Sequence, residues 1–67
     1  MSAAASARHP IVLDQNEWDL VAQLLERECR DLPLEIHHTA MKEYRQLLRD
    51  RLKRVEALLD RIRPLAA

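Results

Sequence analysis

Trp18, Val21, Leu25, Cys29, Leu32 and Ile36 recur at steps of 3, 4, 4, 3 and 4. That spacing keeps all six side chains on one side of a 3.6-residue helix and on no single face of a strand. A second stripe follows, Met41, Tyr44, Leu48, Leu52, Val55, Leu59 and Ile62, at steps of 3, 4, 4, 3, 4 and 3, with no polar interruption. Two such stripes in one short chain constrain the fold strongly. Each helix must lay its apolar side against something, and the nearest candidate is the other helix. The 67 residues contain no glycine, which argues against phosphate-cradling loops, tight primed hairpin turns, and the nucleotide-binding and β-rich folds that use them.

The helix boundaries carry their own signals. Asp14 can cap a first helix, with Glu17 three residues later as its capping-box partner and Leu13 and Trp18 placed as a hydrophobic staple. That helix is expected over about 14–36. Pro33 lies inside it; proline removes a donor and clashes with the preceding turn at a cost of about 3 kcal/mol, so the helix either bends there or ends there. The unbroken phase favours a bend, and Leu34, which falls on the far side, favours an end. Thr39 is the expected cap of a second helix over about 40–63, with Glu43 in its first turn and Pro64 as its stop. Residues 37–39 are then the turn, where the ring of His38 could lock the reversal, and residues 1–12 and 64–67 are expected as tails.

Two amphipathic helices of matching length joined by a short turn pack antiparallel. A reversal at 37–39 sets Ile36 by Met41, Leu32 by Tyr44, Cys29 by Leu48, Val21 by Val55 and Trp18 by Leu58 or Leu59. Charge supports the pairing: the first helix carries seven acids against two arginines, and the second carries eight basic residues against four acids. Exposed pairs of this kind are worth only about 0–1 kcal/mol each and orient more than they stabilise.

Candidate chemistry is sparse. His37 and His38, with Glu35 and Cys29 nearby, have the atom types of a zinc site, but adjacent histidines on a helix diverge by about 100°, unlike the i, i+4 pair that converges on one metal. No metal or other cofactor is expected. Cys29 lies on the apolar stripe, where a thiol acts as a small core group, and a two-helix hairpin offers no cleft for a catalytic base and oxyanion pocket. An enzyme is not expected. No run approaches the roughly 20 apolar residues of a membrane span, and the opening residues lack the apolar centre of a secretory signal, so the expectation is a soluble cytoplasmic protein. The outer face of the second helix, with Arg45, Arg49, Lys53 and Arg54, is the alternative: a small nucleic-acid-associated regulator. Zero net charge and the interleaved Asp50, Glu56 and Asp60 argue against it.

Apolar surface is left over. Leu20 and Leu24 flank the first stripe, and Ala40, Leu47 and Leu58 flank the second, so each helix has an apolar arc wider than one neighbour can cover. A lone hairpin would leave these leucines wet, which predicts an all-α antiparallel hairpin that dimerises into a four-helix bundle, as a homodimer or with an unidentified protein partner. Glu28 and Arg51 interrupt the two flanks at similar angles and heights, and are expected to pair within or between subunits and to set register.

The run "LLERECRDLPLEIHHTAMKEYRQLLRDRLKRVEALLDRI" resembles a group of very short bacterial helical-hairpin proteins of unknown function. The likeness rests on an acid-isoleucine-x-x-threonine turn followed by an aromatic residue and arginine, here Glu35, Ile36, Thr39, Tyr44 and Arg45. Many of those sequences place an acid directly after the threonine, where this chain has Ala40. The resemblance implies the hairpin and implies no activity.

Overall fold

The computed structural model describes residues 10–66 and consists there of two helices and a terminal 3-10 turn: α1, Gln15–His38; α2, Lys42–Ile62; and the turn Arg63–Leu65. No strand occurs among the described residues. The expected tail at 1–12 lies mostly outside them; Pro10 to Asp14 lead into α1 without regular structure.

The start of α1 is the capping box. The Asp14 carboxylate accepts from the Glu17 backbone N–H at 2.8 Å, and the Glu17 carboxylate accepts from the Asp14 N–H at 2.9 Å. Four N–H groups at a helix start have no partner within the helix, and this exchange satisfies two of them while fixing the entry of the chain.

Pro33 neither ends α1 nor shortens it. The helix passes through it and runs two residues beyond the expected Ile36, to His38. The missing N–H leaves the Cys29 carbonyl without its helical donor, a defect of about 3 kcal/mol. Leu32, at 2% exposure, and the half-buried Ile36 both pack on α2 in this region. Two leucine-sized side chains taken from water contribute about 1.5–3 kcal/mol each, enough to hold the last turn in place across the proline. Leu34 faces solvent on the outer side.

The core is a seam between two helices in two linked parts. Ala22, Leu59 and Ile62 are buried together at the end remote from the connection, with Trp18, Val21 and Ala66 against them. Leu32, Leu48 and Val55 are buried nearer the connection, with Ile36 and Leu52 alongside, and Leu25 and Cys29 touch both groups.

This register differs from the one expected. The chain reverses at residues 39–41 and not at 37–39. Moving a reversal by two residues slides facing positions by four, about one helical turn. Leu32 therefore meets Leu48 instead of Tyr44, and the outer end of the seam joins Ala22 to Leu59. Tyr44 and Met41, placed on the buried stripe by periodicity, are left 45% and 66% exposed.

The expected tail from 64 is also corrected. Pro64 continues into the 3-10 turn, Ala66 packs on the core, and the Gln15 side-chain amide donates to the Leu65 carbonyl at 2.9 Å. That bond ties the first turn of α1 to the end of the chain.

Thr39 does not cap α2. The residue before α2 is Met41, whose backbone has the extended geometry of a cap but whose side chain makes no capping bond. Met41→Asp is expected to stabilise the hairpin by about 1 kcal/mol, because a carboxylate there reaches the unsatisfied N–H groups and suits the helix dipole. A thermal melt followed by circular dichroism would show the midpoint rising by several degrees; an unchanged midpoint would mean those N–H groups are already served.

Candidate association face and interhelical joint

The two furrows beside the core seam have opposite character. On one side Cys29, Leu59, Glu56, Asp60 and Arg63 share a hollow, continued by Asp19, Gln23 and Glu26. Burial raises the pKa of the Cys29 thiol above its ordinary value and the Glu56 carboxylate adds to the rise, with Arg63 opposing. A thiol so held stays protonated and is a poor nucleophile. This polar side needs no cover.

The other side carries more leucine, with Glu35 and Arg54 exposed beside one ion pair. Tyr44, Leu47 and Leu48 line it near the connection with Leu32, Glu28 and Glu35, and Leu25, Val55, Leu58 and Arg54 line it further on. Arg51 belongs to both stretches. Leu20 and Leu24, with Gln23, Glu26, Arg27 and Arg30, line a separate hollow on α1. All four leucines singled out in the sequence are solvent-exposed, Leu24 at 55% and Leu47 at 64%. Leu47 and Leu58 lie on the same side of the hairpin as the ion pair.

Glu28 and Arg51 pair within one chain, the guanidinium donating through Nη2 at 2.6 Å and through Nε at 2.9 Å to the same carboxylate oxygen. Both ends remain partly open to water, so the pair is worth at most about 1 kcal/mol in the hairpin. Its place is informative. It stands at mid-height, between Leu20 and Leu24 on one edge and Leu47 and Leu58 on the other.

At the connection the structure builds a joint around Thr39. Its N–H donates to the Ile36 carbonyl at 3.3 Å and its hydroxyl to the Glu35 carbonyl at 2.6 Å, closing the end of α1. Its own carbonyl accepts from Arg45 of α2 twice, from Nη2 at 2.8 Å and Nε at 3.1 Å. One residue thus binds both helices. Glu35, Ile36, Thr39 and Arg45 all take part, whereas Tyr44 lines the furrow that holds the ion pair.

The Arg45 contact is the functional feature that periodicity missed. Placed on the outer basic face by its angle alone, Arg45 is partly buried and engaged with the backbone. The one available signal was its spacing of six from a threonine that ends a helix. Arg45→Ala is expected to lower stability by about 1–2 kcal/mol, because the paired, charge-assisted bonds are lost and an acceptor is left without its donor. Lysine lacks the planar fork and should recover at most half of the loss in a urea titration, whereas an alanine variant as stable as the parent would remove the joint from the argument.

His37 and His38 lie in the last turn of α1 with their rings edge to face, centroids 5.3 Å apart, and both are exposed. Neither ring is placed on the start of α2, so the turn is locked by Thr39 and Arg45. Groups of three or more metal-capable side chains do not occur among the described residues. Among the described residues no helix is long and apolar enough to cross a membrane. Comparison with known protein families, curated proteins and solved structures finds none that the chain matches.

Proposed function

We propose that this protein is a small non-enzymatic helical interaction module of the cytoplasm that self-associates through its leucine-rich face, two hairpins forming a four-helix bundle. The observation that carries this reading is the exposure of Leu20, Leu24, Leu47 and Leu58 on a structure only one helix layer thick, 14 Å in its thinnest direction. A single layer cannot enclose a core. Among the described residues the buried side chains are Ala22, Leu32, Leu48, Val55, Leu59 and Ile62, a small core for a chain of this length. A second layer laid on the apolar face removes four leucines per chain from water and leaves the charged furrow outside.

The alternative of nucleic-acid binding through α2 draws less support. Arg45 is engaged with Thr39, Arg51 with Glu28, and Arg63, just beyond α2, with Asp60, so two cations of the basic helix and the one that follows it already have partners. Retention on random-sequence DNA at low salt, weakening steeply as salt is added, would favour that alternative.

Sedimentation and light scattering of the pure protein over a dilution series test the main reading, with a concentration-dependent dimer expected and a monomer at every concentration refuting it. Arg51→Leu is expected to leave the helices folded while several oligomeric species appear, because the polar group that penalises wrong registers is gone. A single unchanged species would show that register is set elsewhere.

A further inference from the structure

The apolar face differs in charge between its two edges. Along α1 its outer ridge is Glu17, Leu20, Leu24, Glu28, Asp31 and Glu35, with Arg27 just outside it beside Leu20 and Leu24. Along α2 the ridge is Glu43 at the connection end and then Leu47, Arg51, Arg54, Leu58 and Arg61, with Asp50 just outside it. The helical steps of 3 and 4 keep each set in line. One edge is acidic and the other, beyond its first turn, is basic.

Two copies laid face to face can be related by a twofold axis along the helices or by one across them. An axis along the helices puts α1 of one copy on α2 of the other, antiparallel and at the levels at which the two helices meet within a chain. Those levels are marked by Glu28 against Arg51 and by Gln15 against Leu65. Glu17 then lies by Arg61 of the second copy, Leu24 between its Arg54 and Leu58, and Leu20 between its Leu58 and Arg61, while its Leu47 falls between Asp31 and Glu35 and its Glu43 by Glu35.

An axis across the helices puts like on like. Centred on the ion pair, it sets Leu24 by Asp31 of the second copy, Leu20 by its Glu35, and Arg51 by its own image. Guanidinium against guanidinium, and Glu28 against its own image, cost free energy that the first arrangement replaces with attraction.

We infer that the protein dimerises about an axis parallel to its helices, each acidic α1 ridge seated on the basic α2 ridge of a second copy. The inference rests on the self-association proposed above and adds its geometry. Around the axis the two Glu28–Arg51 pairs close into a ring of four alternating charges. Each group gains a second opposite neighbour as the leucines exclude water, which offsets the desolvation that an isolated pair would suffer.

Nitroxide labels at the exposed start of α1 measure the arrangement directly. In Asn16→Cys with Cys29→Ala, an axis along the helices brings the two labels to the same end of the bundle, less than about 25 Å apart given neighbouring axes about 10 Å apart. An axis across them sends the labels to opposite ends, beyond about 35 Å for a helix of 24 residues. A second measurement needs no variant: raising sodium chloride from low to high concentration is expected to weaken the wild-type dimer about tenfold, as screening removes attraction across the interface. A dimer with distant labels, or one tightened by salt, overturns the arrangement while self-association stands. A protein that never dimerises overturns both.

Discussion

Leu24→Asp is expected to turn the dimer into a monomer that keeps its helical signal. In the hairpin this leucine is more exposed than covered, so the folded chain loses little when it is replaced. In a symmetric dimer the change occurs twice. Withholding two leucines from burial costs about 3 kcal/mol or more, and each new carboxylate keeps its hydration only outside the interface. The dissociation constant should rise at least about a hundredfold, since about 1.4 kcal/mol is a factor of ten. Leu34→Asp is the control: Leu34 is equally exposed but lies on the outer side of α1, and its replacement should leave association unchanged. If both variants dimerise like the parent, the apolar face is not the interface.

The largest effect on folding is expected at Leu32. Its side chain is 2% exposed, packs with Leu48 and Val55, and adjoins the proline that weakens the last turns of α1. Leu32→Ala removes that packing and leaves a cavity, for which about 2–5 kcal/mol is usual. Small domains are stable by about 0.05–0.15 kcal/mol per residue, so the loss approaches all that a hairpin of this size can have. Circular dichroism at micromolar concentration should show most of the helical signal gone at 37 °C. Leu32→Met, which nearly conserves volume, should cost less than about 1.5 kcal/mol and keep the fold. An alanine variant that melts with the parent would mean that the seam is not what holds α1 to α2.

The parts of this fold legible in the sequence are those encoded locally. Apolar steps of 3 and 4 need only a helix to bring their side chains into line, and the Asp14–Glu17 exchange needs only three residues of separation. The connection is a contest between neighbours. Thr39 can start a helix or close one, and what decides is Arg45, a contact across the turn that periodicity does not encode. That choice moves the reversal by two residues, and a small local displacement becomes a turn of register along the whole seam. Tyr44 and Met41 leave the buried stripe for this reason, and Ala22, too small to stand out as apolar, enters it. The exposed leucines could be listed from helical angle, but that Leu47 and Leu58 share one side with the ion pair, while Leu20 and Leu24 line a hollow with Arg27 and Arg30, depends on the packed arrangement.

The reversal at 39–41 contains neither glycine nor proline, and no residue among those described has a positive φ. Nothing in the backbone chemistry of Thr39, Ala40 and Met41 forbids helix, so the bend is maintained by a handful of bonds to one threonine. Cut them, and the segments on either side can fuse into a straight rod roughly 70 Å long, at about 1.5 Å per residue, whose two halves would find their counterparts on another molecule. Whether this polypeptide is a folded clasp or an exchangeable strut is decided at a single hydroxyl and a single guanidinium.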